Sequence, residues 1–581
     1  MGAAPGGPSW PQWAQNPQHT GFINVNGDSL NRILADIVYD PLVPSEQQHN
    51  DGDLLVHYQV PLVEGNDVYM ESKSGNYSAG KYAAQSWHQN RFTWVGRRLV
   101  KIWTFDSDWF APGSQADFWE PVYHAVLANG YVYDPGAGGT IFKLNKTDGS
   151  VVKRINPFGT TIDLNTYTAG PISADSSGNL YYNVVKLQYD GAFYGKDAVD
   201  SWLVKVAPND QASVVSYTGL NPGAPNATDL CYNAFGTGSL PWPPSATAIP
   251  GRIACGLQRA ALNIAPAIAA DGTIYSVTRS HFISRYGYIV AINPDLTFKW
   301  AASLRGEDTV PGDYFSGGYF TDGCNDGTAA SAGSWLPPDG QPNGCRDLGP
   351  DGNAITRGRD PATNRLGGGR VLDDSSSTPT IAPDGSVLYG AYSRYNWAQG
   401  HLMHFSSTGQ FLNAFGFGWD ITPGIYAHDG TYSIVIKNNH YGGLGSYCND
   451  PALCPEDRDA SNPSSPEEYF VSQLSPALAL EWSFKNTNTE SCTRQADGSV
   501  TCVSDHPHSF EWCVNAPAID ASGIVYANSE DGNLYAIQQG GPLKQKIFQQ
   551  LALGAAYTPT SLGSDGRIYS QNAGHLFVVG R

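Results

Sequence analysis

Eight times along the chain a proline precedes a short apolar stretch, a glycine-containing turn and a strand rich in tyrosine or valine. The clearest copies run from Pro266 through Asp271-Gly272 to Tyr275, from Pro379 through Asp384-Gly385 to Tyr389, and from Pro517 through Gly523 to Tyr526. Pro559 through Asp565-Gly566 to Tyr569, Pro423 through Asp429-Gly430 to Tyr432, and Pro171 through Gly178 to Tyr181 follow the same plan. Pro121 (turn Asn129-Gly130) and Pro61 (turn Gly65-Asn66) are weaker copies. Asp-Gly or Asn-Gly between alternating apolar residues predicts a hairpin, because glycine tolerates the positive φ of a tight turn. A hairpin repeating every few tens of residues predicts an all-β ring of blades, a propeller.

The third strand of each unit ends in a second recurring pattern. It reads Phe142-Lys-Leu-Asn-Lys-Thr147-Asp-Gly149, then Val290-Ala-Ile-Asn293 through Trp300, then His404-Phe-Ser-Ser-Thr408-Gly409. Gln473-Leu-Ser through Trp482 and Leu534-Tyr-Ala-Ile537 through Gly541 follow. The pattern resembles the Ala-Leu-Asp-x-x-Thr-Gly-x-x-x-Trp docking motif of quinoprotein-like propellers, whose tryptophan packs between blades. Trp300 and Trp482 are the tryptophans that stand at the end of the motif. The opening Trp10-Pro-Gln-Trp13 and Asn16-Pro-Gln-His-Thr20-Gly21 resembles the N-terminal stretch of the same family, and the resemblance covers nearly the whole ring. It implies one all-β propeller of eight four-stranded blades over 31–581, beginning near 61, 121, 171, 266, 379, 423, 517 and 559, after an N-terminal extension, 1–30. The last unit supplies three strands before Arg581, so the stretch Ile33 to Tyr39 is expected to add the fourth and cover the open edge.

Composition changes the picture in two ways. The 53 acidic against 34 basic residues give a net charge of −19, which excludes a nucleic-acid partner, since binding phosphate needs clustered Lys and Arg. No apolar run approaches the roughly 20 residues of a membrane span. No signal peptide is visible, yet the cysteines predict a secreted or periplasmic protein. Cys231 with Cys255, Cys324 with Cys345, Cys448 with Cys454 and Cys492 with Cys502 each bracket a polar insertion that a disulfide would staple, leaving Cys513 as a buried thiol.

Long insertions fall before first strands (221–263, 305–376, 485–512) and between second and third strands (72–91, 186–200, 438–467), positions that share one face of a propeller. They predict a loop-walled funnel over the central channel. Residues just beyond the second strands offer the chemistry: Arg279 and His281, then Arg394, Asn396 and Trp397, then Lys437, Asn439 and His440, with His88 from the first blade. Forked guanidinium donors pair with carboxylates, and indole rings stack on sugars, so the set suits a small polar or anionic molecule, a glycan or a protein segment. His57-Tyr58, Asp117, Glu120, Asp373-Asp374 and Asp420 stand at the starts of first strands. Such a carboxylate ring suits calcium, and it equally suits capping of strand ends. The quinone PQQ is not expected, because the chain lacks the adjacent cysteine pair of the alcohol-dehydrogenase branch. Two readings stand: a propeller that binds and converts nothing, and an enzyme (a lyase or hydrolase) with His440 or His281 as general base and Arg394 or Lys437 stabilising negative charge.

Overall fold

The computed structural model describes residues 9–54, 59–78, 84–111, 124–188, 193–232, 252–284, 286–304, 371–373, 375, 377–392, 400–417, 421–440, 468–495, 497–554 and 559–581. They form eight antiparallel blades. The first runs Leu62–Glu64, Asp67–Gly75, Gln85–Val95 and Arg98–Asp106; the fourth runs Ala267–Ile268, Ile274–Ser280, Gly287–Ile292 and Phe298–Ser303. The remaining blades repeat that up-and-down order. The eighth is composite: Arg32–Val38 pairs with His575–Gly580, with Ile33 opposite Val579 and Val38 opposite His575. That pairing satisfies the backbone groups of a strand edge that would otherwise be open.

The hairpin turns sit where glycine is needed. Gly272, Gly385 and Gly566 have φ values of 83°, 83° and 86°. The core lies between blades as much as within them. Trp300 at the end of the fourth blade donates its indole N–H to the Ser407 carbonyl at 3.0 Å and lies against Gly409, where a Cβ would come within 2.6 Å of the ring. Trp103 does the same to Lys146 and Gly149 of the second blade, at 2.9 Å and 2.7 Å. Trp103 therefore docks one blade on the next as Trp300 does, although the residues at the motif's Thr-Gly positions before it are Arg98-Leu99.

The stretch expected as an extension is part of the ring. Between Trp10 and Asp28 the chain touches the innermost strand or first turn of every blade in order. It bonds in turn to Val63, Leu127, Ala174, Ile268, Ile381, Ile425, Ile519 and Gly566. Each contact lies beside the blade's first hairpin, so this thread lines the face opposite the insertions. Trp10, Trp13 and His19 on it are fully buried. Gly21 (φ 63°) passes so close to the seventh blade that a Cβ would lie 2.2 Å from the Pro517 carbonyl oxygen, which explains the Thr-Gly step in the opening motif.

Several insertions carry structure of their own. Most of 72–91 is strand, the first blade's inner hairpin being longer than expected. Leu230–Tyr232 pairs with Arg252–Ala254, closed by a disulfide between Cys231 and Cys255, and Glu490–Arg494 pairs with Val500–Ser504, closed by Cys492 and Cys502. Cys513 is a buried free thiol. Cys324, Cys345, Cys448 and Cys454 lie outside the described residues, as does Pro121; the second blade's first strand begins at Val126. Among the described residues no helix is long and apolar enough to cross a membrane.

Candidate functional site

The face that bears the insertions is where the second strands end, and in the fourth blade that end is buried. The strand Ile274–Ser280 outruns Ala267–Ile268 and gains another partner, Gln258–Ala260, which sets Arg259 directly opposite Arg279. Like charges across a strand pair repel, and the opposing charge comes from the next blade. Arg259 holds Asp373 with both arms of its fork, at 2.9 and 2.6 Å, and Arg279 approaches the same carboxylate at 3.1 Å. The Tyr194 hydroxyl donates to it, and so does the Leu262 amide at 3.2 Å. The two guanidinium groups outweigh the effect of burial and hold the Asp373 carboxyl well below the usual carboxylate range. Asp197, half-buried beside the cluster, accepts the Leu257 and Ala198 amides, and burial raises its carboxyl above the ordinary value despite those bonds and the charge of Arg259.

His281 closes the cluster. Its Nδ1 accepts from Arg259 Nε at 2.8 Å, and its Nε2 faces the Lys196 and Phe193 carbonyls at 3.0 and 3.2 Å. That arrangement requires a neutral ring with the proton on Nε2, and burial followed by the nearby Arg259 lowers its pKa to about 3. Both nitrogens are committed, so His281 has no lone pair to offer as a general base.

The expectation of exposed loop tips facing one cavity is corrected for four of the residues. Arg279, His281, Lys437 and Asn439 are all buried, because the segments that precede first strands fold over the second-strand ends. Arg279 spends its remaining donors on the carbonyls of Ser280, Val371 and His281. Lys437 and Asn439 stand two blades away, in the sixth blade's second strand; the Asn439 side chain bonds both backbone groups of Trp512 at 3.3 Å and so ties the sixth blade to the start of the seventh. His88 lies in the first blade's third strand, between Ser74 Oγ at 2.7 Å and Asp106 Oδ1 at 2.6 Å. His440 pairs with Glu468 in the sixth blade's ladder. Arg394, Asn396 and Trp397 lie outside the described residues, as do His57, Tyr58, Asp117, Glu120, Asp374 and Asp420. Asp373, considered for calcium, is instead saturated by arginine. Sequence reasoning missed Arg259 and Tyr194 as partners, since both sit in insertions without a repeat to mark them.

A further set of buried polar groups lies between the first two blades. Glu71 accepts from Gln59 at 3.3 Å, and its carboxyl is raised well above the usual range by burial and by the nearby Asp134. Asp134, also fully enclosed, is pushed up to about 8 by burial and then by the charge of Asp108. The buried His124 stacks on Trp13 at 5.4 Å, and neither ring nitrogen has a hydrogen-bond partner among the described residues.

No protein-family model and no curated protein matches the sequence. Solved structures of similar arrangement include a europium-containing methanol dehydrogenase (12% identity, TM-score 0.47, 97% of this chain and 89% of that one). A quinohemoprotein alcohol dehydrogenase from Comamonas testosteroni matches at 12% identity and TM-score 0.47, over 99% of this chain and 81% of that one. BamB from Moraxella catarrhalis matches at 9% identity and TM-score 0.37, over 95% and 97%. These likenesses concern the ring of blades and carry no chemistry across to this chain.

Proposed function

We propose that this chain is an extracytoplasmic binding propeller that takes a polar or anionic ligand at the face bearing the insertions. The observation that carries the proposal is the thread. Residues 10–28 line the opposite face and touch all eight blades, which leaves the insertion-bearing mouth as the approach to the channel among the described residues. The Arg259–Asp373–Arg279 cluster supports the mouth itself. Its arginines are buried and spent on Asp373, His281 and backbone carbonyls, so the cluster holds the mouth rigid, while the ligand is assigned to the other sequence candidates there, Arg394, Asn396 and Trp397. The cysteine pairs support an oxidising compartment. Turnover with His281 as general base is disfavoured, because His281 cannot accept a proton where it stands.

The test is calorimetric titration of the full chain at low salt with citrate, inositol phosphate and a uronic acid oligomer. At least one is expected to bind, more weakly as salt rises, and more weakly in Arg394→Lys, which keeps the charge and loses the fork. If none binds, or if Arg394→Lys binds each as the parent does, the proposal falls.

A further inference from the structure

The rim between the second and third blades holds a cavity of about 400 Å³, separate from the arginine cluster. One wall is aromatic: Phe158 and Trp202 meet at 4.8 Å with a tilt of 51°. The other wall is polar, formed by Asp163, Lys186, Asp200 and Thr166. It exists because the third blade's second strand, Leu180–Leu187, outruns Ser173–Ala174 and pairs with a further strand, Thr166–Thr168, which sets Thr166 opposite Lys186.

The polar wall is assembled before any ligand arrives. Asp163 holds Lys186 at 2.8 Å and accepts from the Thr166 hydroxyl at 3.0 Å. Asp200 Oδ1 accepts from the Ser201 amide and the Ser216 hydroxyl, both at 2.7 Å. Its Oδ2 and the Trp202 indole N–H have no partner among the described residues.

We propose that this cavity binds a neutral pyranose, one or two sugar units long. Three features select that class. An anion would face two carboxylates against one ammonium, and a cation would face the Lys186 ammonium that already neutralises Asp163. A polyol uses both kinds of partner, giving hydroxyl protons to Asp200 and accepting from Lys186 and Trp202. A pyranose also has a face of C–H groups that packs on an aromatic ring, and the tilted Phe158–Trp202 pair offers such a surface. The size agrees, since small-molecule sites begin at about 300 Å³.

The test is saturation-transfer NMR and calorimetry on the full chain with methyl hexopyranosides, cellobiose and maltose, against tetramethylammonium and citrate as charged comparators. A neutral sugar is expected to bind, while the comparators leave its affinity unchanged. Trp202→Ala should weaken it roughly tenfold through loss of the stacking face, and Asp200→Asn should weaken it several-fold. Because Trp202 also packs against its blade, Val199→Trp provides a second arm: Val199 lines the cavity and is 51% exposed, so the larger ring should fill the space and abolish binding at an unchanged melting temperature. No sugar binding at tens of millimolar, displacement of the sugar by tetramethylammonium, or sugar binding by Val199→Trp equal to the parent would overturn the proposal.

Discussion

Arg259 and Arg279 face each other across an antiparallel strand pair, and both guanidinium groups end on the carboxylate of Asp373. Asp373 belongs to the segment leading into the fifth blade, so the ion cluster fastens one blade to the next at the insertion-bearing face. Its stability depends on completeness, because a buried charge that loses its counter-charge is far costlier than a balanced one.

Asp373→Asn should therefore destabilise the protein by about 3–5 kcal/mol, the cost of breaking a buried ion pair. Replacing Arg259, Arg279 and Asp373 together with Met, Met and Leu should recover most of that loss. Urea unfolding of the two variants measures both, and a single variant as stable as the parent would show that the cluster is not under electrostatic load.

The thread should behave as core rather than as a tail. Trp13→Ala should cost about 3–5 kcal/mol, as for other fully buried tryptophans. Removing residues 1–38 should in addition expose the strand His575–Gly580 along its length and produce soluble aggregates. Light scattering and melting curves decide this; a monomeric truncation with unchanged melting would contradict the pairing.

Stability should depend on pH through Asp134. Its folded-state pKa of about 8 lies above the unfolded value of about 3.9, so its contribution is fully present below pH 4 and lost as pH rises through 8. The slope from this one group is at most about 1.4 kcal/mol per pH unit. The buried Glu71 carboxyl, raised likewise, acts in the same direction. Asp134→Asn cannot lose a proton, so its melting temperature should fall less steeply between pH 5 and 8 than the parent's. Parallel calorimetric profiles for the two proteins would refute the assignment.

Cys513 should resist alkylation in the native protein and react once unfolded, since burial raises its thiol pKa well above the ordinary value. Non-reducing peptide mapping should recover Cys231 joined to Cys255 and Cys492 joined to Cys502. Replacing Cys231 and Cys255 with serine should cost about 3 kcal/mol, the chain-entropy value for a loop of that size.

The amino-acid sequence by itself determined the ring. Alternation of apolar and polar residues around Asp271-Gly272, Asp384-Gly385 and Asp565-Gly566 is local information: a two-residue period and a residue that tolerates positive φ suffice to specify a hairpin. The cysteine pairs at 231/255 and 492/502 were legible for the same reason, each partner being near in sequence. Tertiary structure alone decided everything that depends on who faces whom. Arg279 reads as a solvated tip until Gln258–Ala260 pairs beside it and Asp373 arrives from 94 positions along the chain. Trp10 to Asp28 reads as an extension until closure of the ring brings eight distant strands around it. Phe158 and Trp202 are unremarkable until neighbouring blades set them at 4.8 Å. Spacing encodes contacts within a hairpin, whereas contacts between blades depend on how the whole ring packs, and no short stretch of sequence carries that.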